Sequence, residues 1–134
     1  WQRLQSLSDK DAWLGQRRAP RAATDDPASP HFALSFGGQA FFAVGLHPRA
    51  SRKARRFAAP AIMFNLHSQF AHLRATGRYE KMRATILERD LKLQGSINPM
   101  LARHGTTSEA RKYSGRVVGD DWQCPFRDRR PVHD

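Results

Sequence analysis

The sequence predicts an α+β fold, a small antiparallel sheet packed with helices. Three observations carry that prediction. Phe32, Leu34 and Phe36 alternate with small residues, Gly37-Gly38 follows, and a second apolar run extends from Gln39 to Leu46. Two such runs about a glycine pair read as a β-hairpin over about 31–47. Pro60 to Phe64 is a further short apolar run, a third strand over about 60–65. Elsewhere apolar residues recur at helical spacing, at Trp1, Leu4 and Leu7 and again at Tyr79, Met82, Ile86 and Leu93, whose face also carries Asp90. Helices separate from a hairpin-built sheet are the mark of the α+β class.

In chain order, Trp1 to Leu14 reads as an amphipathic helix stopped at Gly15. Residues 16–30 hold Pro20, Pro27 and Pro30 and read as a loop. A two-residue turn at Gly37-Gly38 sets the hairpin register, with Phe36 opposite Gln39, Leu34 opposite Phe41 and Phe32 opposite Ala43. Both hairpin faces are largely apolar, which predicts burial in a larger sheet. Asn65 is placed to cap a helix from about Leu66 to Thr76, ended by Gly77. Tyr79 to Leu93 is a second long helix, with Glu88 and Lys92 as an i,i+4 pair. Gln94 to Gly105 reads as irregular, Ser108 to Tyr113 as a short helical turn, and residues 127–134 as a frayed tail.

The chain has 134 residues and fits one domain, 1–134. Its 40% apolar content and thirteen aromatic side chains exclude wholesale disorder. No run is long enough to span a bilayer, and Trp1-Gln2-Arg3-Leu4 has no signal-peptide pattern. The lone Cys124 excludes an intrachain disulfide and a Cys-rich zinc site, and suits a reducing cytoplasm. A net charge of +11 admits nucleic acid, an acidic membrane surface or small anions as partners, or a merely solvated basic surface. Arg49 to Arg56 is the one dense cluster, and its basic residues lack the interleaved aromatics of a nucleic-acid stacking platform. No P-loop, dinucleotide fingerprint, nucleophile elbow or HExxH is present.

Chemistry concentrates between Phe41 and Phe70, with a second contribution from Gln94 to Leu101. His47 ends the second hairpin strand after Ala43 and Gly45, whose small side chains leave room for a flat ligand walled by Phe32 and Phe41. It reads either as a metal ligand or as a polar residue closing a strand. Arg52, Arg55 and Arg56 are suited to clamping carboxylates or phosphates, or to solvation at the protein surface. His67 stands at a strand-to-helix junction, where it is a second ligand, a proton-handling group or a simple helix-start residue. Gln94, Ser96 and Asn98 occupy a polar loop that reads equally as pocket lining or structural turn.

These residues resemble the YqcI/YcgG family. The resemblance runs through Ala40 to Pro48, Ala50-Ser51-Arg52, Ala54 to Phe57, Phe64 to His67, Arg78-Tyr79-Glu80, Leu93 to Leu101, Ser108 to Arg111, Tyr113 to Arg116 and Cys124-Pro125-Phe126. It implies a bacterial, heme b-dependent oxygenase that uses dioxygen and an electron donor to N-hydroxylate arginine or another guanidine-bearing amino acid. On that basis His47 is the first choice of axial ligand and His67 the second. Arg52, Arg55 and Arg56 would hold propionates or a substrate carboxylate, and Asn65, Gln94, Ser96 and Asn98 would shape the distal pocket, with His67 and Asn98 nearest the chemistry. The resemblance departs at the N-terminus, where relatives are longer; it implies that this chain is the C-terminal portion of a larger domain. It departs again at Lys112, where a glutamine is expected. Three other readings stand beside it: a non-heme metal enzyme built on both histidines and a carboxylate, a basic nucleic-acid-binding module, and an inactive fragment.

Overall fold

The computed structural model describes residues 1–20, 26–100 and 107–130. Its elements run α1 (Gln2–Trp13), β1 (Leu34–Phe36), β2 (Gln39–Leu46), a single 3₁₀ turn (Lys53–Arg55), β3 (Ala61–Leu66), α2 (His67–Ala75), α3 (Arg78–Gln94) and α4 (Ala110–Tyr113). The three strands form one antiparallel sheet in the order β1-β2-β3. The fold is α+β, as the residue patterns predict.

The hairpin register agrees with the two-residue turn: Phe36 faces Gln39 and Leu34 faces Phe41. Gly37 and Gly38 both have positive φ, 55° and 74°, which L side chains rarely adopt. Phe32 lies before the strand, so its expected pairing with Ala43 is not made. β2 continues in register with β3 from Phe41–Leu66 to Leu46–Ala61. Asn65 belongs to this ladder, opposite Phe42, and caps no helix. α2 therefore starts at His67, and the residue before it, Leu66, offers no side-chain cap. The ladder's backbone pairing outweighs the local capping preference here.

The core sits where α1, the hairpin and the C-terminal segments meet. Phe32 and Phe126 are almost fully buried, with ring centres 5.9 Å apart. Trp1 stacks on buried Tyr113 at 5.8 Å and also touches Phe126. Offset or tilted contacts of this kind add about 0.5–1.5 kcal/mol per pair beyond burial. A second group, Phe36, Phe41 and Phe64, lies on the sheet with ring centres 5.7–6.3 Å apart.

The segment after Phe126, expected to fray, is pinned as far as it is described. Gln5 accepts the Arg127 N–H and donates to the Arg127 carbonyl, both at 2.9 Å. Arg130 is 5% exposed and bonds Asp11, Asp128 and the Ser35 carbonyl. These contacts bind the end of the described chain to its first helix and first strand. Positions 131–134 of the expected tail lie outside the described residues.

Candidate functional site

Past Leu46 the chain leaves the sheet and folds back on itself. The His47 N–H donates to the Arg55 carbonyl at 3.0 Å, and the Ala50 N–H to the His47 carbonyl at 3.1 Å. Arg56 Nε donates to the Ala50 carbonyl at 2.9 Å, and its side chain otherwise stands in solvent. This closed basic loop abuts the segment that follows α3, which Gly95 ends in the left-handed conformation.

Arg52 joins the two segments. Its guanidinium bonds the Asp90 carboxylate, the Ser96 hydroxyl at 3.0 Å and the Ser96 carbonyl at 2.6 Å. Asp90 also accepts the Asn98 N–H at 3.0 Å. Gln94 Oε1 accepts the Lys53 N–H at 2.8 Å, and Asn98 Oδ1 accepts the Met100 N–H at 3.0 Å. Arg52, Asp90 and Asn98 are all buried. The loop residues expected to meet do meet, but with different tasks. Arg52 is occupied by Asp90 and Ser96, so it is an internal strap and not a clamp for propionates. Gln94, Ser96 and Asn98 hold backbone or Arg52 and shape the loop, and Asn98 also lines a small cavity beside it. Asp90 was visible only as a member of the Tyr79–Leu93 face. A carboxylate on such a face needs a cation opposite it, and that was the available signal.

The two histidines lie at opposite ends of the β2–β3 ladder. His47 follows the Leu46–Ala61 pair and His67 follows the Leu66–Phe41 pair. Six residues of strand separate those ends, about 20 Å at the usual rise, so no single metal is shared. Among the described residues no group of three His, Cys, Asp or Glu could hold a metal ion. This counts against a non-heme centre built on both histidines. His67 packs on the Phe42 ring at 4.9 Å and borders a cavity of about 220 Å³ with Ala40 and Ser68. Asn65 lies at that same end of the ladder, opposite Phe42.

His47 is exposed and borders a groove of about 520 Å³ with Gly45, Arg49, Ser51, Ser114, Gly115 and Arg116. That size is within the range of ligand pockets. His47 Nδ1 accepts the Arg49 N–H at 3.0 Å, which puts the proton of the neutral ring on Nε2. The flat floor expected over Ala43 and Gly45 is closed. A Cβ on Gly45 would stand 2.9 Å from the Tyr113 carbonyl oxygen, so the backbone at the end of α4 fills that space. Phe32 is in the core and Phe41 in the aromatic group on the sheet, and neither walls the groove. Gly45→Ala is accordingly expected to cost about 1–3 kcal/mol through overpacking, read as a lower urea midpoint. Arg49 belongs to the basic cluster Arg49 to Arg56 already evident in the sequence; Arg116 is the cation of this groove that sequence reasoning missed, and only proximity of residues 47–51 to 114–116 reveals it.

A larger cavity, about 540 Å³, lies elsewhere, between Pro27–Pro30 and Trp122–Phe126. Its Cys124 thiol is pushed up by burial, which favours the unreactive protonated form. No described helix is long and apolar enough to cross a membrane.

No curated protein and no solved structure matches the chain. The YqcI/YcgG family's sequence profile matches residues 1–127, nearly all of it, and with the loop and groove residues above falling inside that match, the chain belongs to the YqcI/YcgG family.

Proposed function

We propose that this chain is a heme-dependent oxygenase domain of the N-hydroxylase type, with the cofactor in the His47 groove. The observation that carries the placement is one exposed imidazole in a groove of about 520 Å³ that also holds two arginines, Arg49 and Arg116. A solvent-facing imidazole that can change tautomer would suit iron, and guanidiniums suit carboxylates such as heme propionates. The fit departs from the sequence-based expectation in one respect: the cofactor would lie against residues 47–51 and 114–116, not over the strand. Ligation through Nε2 requires Nδ1 to carry the proton, so the bond from the Arg49 N–H is given up, a cost of about 1 kcal/mol. The cavity beside His67, about 220 Å³, is less than half the size of the His47 groove, which supports His47 over His67 as the ligand in this reading.

A heme held there by His47, with Arg49 and Arg116 on its carboxylates, would supply dioxygen activation, its electrons coming from a separate donor. The chain's own residues supply the imidazole ligand and the arginines that fix the cofactor's carboxylates. The substrate in this reading is an amino acid or another guanidine-bearing small molecule, and a cytoplasmic setting accords with the lone cysteine. Hemin titration tests the assignment. A Soret band is expected in the wild type and in His67→Ala, and a lost or shifted band in His47→Ala. A spectrum indifferent to His47→Ala, or no Soret band in any variant, would sink it.

A further inference from the structure

On the far side of the Arg52 strap lies a smaller cavity, about 260 Å³, lined by Arg52, Ala54, Arg55, Ile86, Arg89, Asp90, Leu93 and Asn98. Its walls come from two sources. The 3₁₀ turn contributes Ala54 and Arg55, and α3 contributes Ile86, Asp90 and Leu93, spaced i, i+4 and i+7 on one helix face. Ile86 and Leu93 are roughly half exposed, which is high for large apolar side chains facing a neighbouring element.

The charge in this cavity is unbalanced. Three guanidiniums border it against the single carboxylate of Asp90. Arg52 spends its terminal nitrogens on Asp90 and Ser96, yet its Nε is buried with no hydrogen-bond partner among the described residues. Arg52 as a whole is 8% exposed. Arg55 is half-buried, and its Nη1 is fully enclosed and likewise without a partner. Arg55 and Arg89 make no ion pair among the described residues. A buried donor left unsatisfied costs about 1–3 kcal/mol, more when charged. Desolvation by burial lowers the Arg55 pKa, and the opposing pull of Asp90 does not offset it. Among the described residues the cavity offers these guanidiniums no negative acceptor besides Asp90, which is taken by Arg52.

We propose that this cavity is a second ligand site, which takes a small carboxylate with an apolar body, the carboxylate at Arg55 and Arg89 and the body against Ala54, Ile86 and Leu93. The proposal goes beyond the heme assignment, since it uses neither His47 nor the groove around it. Three features favour this class. Planar guanidiniums match carboxylates in bidentate geometry. Three of the remaining wall residues, Ala54, Ile86 and Leu93, are aliphatic. Asp90 reduces the local charge and favours a monoanion over a phosphate dianion. A cationic guanidine is repelled.

Benzoate, phenylguanidinium and inorganic phosphate are suitable probes, followed by the arginine side-chain N–H resonances of the whole chain. Benzoate is expected to bind in the millimolar range or tighter and to shift the Nε–H signals of Arg52 and Arg55. Arg55→Gln and Arg89→Gln should each weaken it about tenfold. Arg89 is exposed, so its variant reports binding without a folding defect. His47→Ala should leave benzoate affinity unchanged, which keeps this result distinct from the hemin experiment. Equal binding of phenylguanidinium, tighter binding of phosphate, no benzoate binding, or benzoate affinity indifferent to both arginine variants would overturn the proposal.

Discussion

Asp90→Ala is expected to lower stability by about 3–5 kcal/mol, the usual cost of removing one partner of a buried ion pair. Arg52 and Asp90 are both about nine-tenths buried, so solvent cannot replace the lost carboxylate. The alanine leaves a guanidinium that keeps only Ser96 as acceptor. It also strands the Asn98 N–H, which Asp90 accepts at 3.0 Å. For a domain of this size the loss is a large part of the total stability. Urea unfolding monitored by tryptophan fluorescence measures it. The double variant Arg52→Met/Asp90→Leu should recover most of the loss, because an apolar pair of similar volume needs no charge compensation. A single variant within about 0.5 kcal/mol of wild type would mean that the strap is not formed in solution. Hydrogen exchange should locate the damage at residues 94–98 and 52–55 before it spreads to the sheet.

The same strap shows what the sequence can and cannot convey. The hairpin was legible down to register because glycines at positive φ leave one turn geometry for a two-residue loop. Both long helices were legible from apolar spacing, to within a residue or two at their ends. The start of α2 was not, since Asn65 carries a capping side chain and a strand-compatible backbone at once. Only the pairing with Phe42 decides between them. In the site, only the family resemblance put Arg52 and Gln94 to Asn98 around one place; no local pattern joined the two loops. The purpose of their meeting was not legible, because Asp90 was counted as part of an amphipathic face and not as a charge in need of a partner. Gly45 misled for a related reason. A small residue marks a close approach by something, and here the neighbour is the carbonyl of Tyr113, 68 residues further along the chain and invisible to local pattern.

Arg130→Met is the second large expected effect, also about 3–5 kcal/mol, and it has a pH signature. Arg130 Nη1 donates to Asp11 at 2.7 Å, while Nε and Nη2 hold both oxygens of Asp128 at 2.9 and 2.6 Å. Nη2 also reaches the Ser35 carbonyl at 2.8 Å, on the edge of β1 away from β2. Methionine fills much of the volume but leaves Asp128 with Arg18 at 3.3 Å and the backbone N–H of residue 130 at 3.1 Å, and Asp11 with the Gly37 N–H. Burial pushes the Asp128 carboxyl up, and the hydrogen bonds and charge of Arg130, with Arg18, more than reverse that, so its pKa lies below the ordinary 3.8. A carboxyl depressed in the folded state stabilises fully above its unfolded pKa, and that stability is lost as pH falls through the folded value. The contribution is therefore intact at neutral pH and begins to fall away below about pH 4. Urea midpoints at pH 7 and pH 3 give the test. Wild type should lose more stability between the two than Arg130→Met, because the variant has already lost the interaction that acid removes. Parallel losses in both proteins would mean that Asp128 owes its low pKa to something other than Arg130.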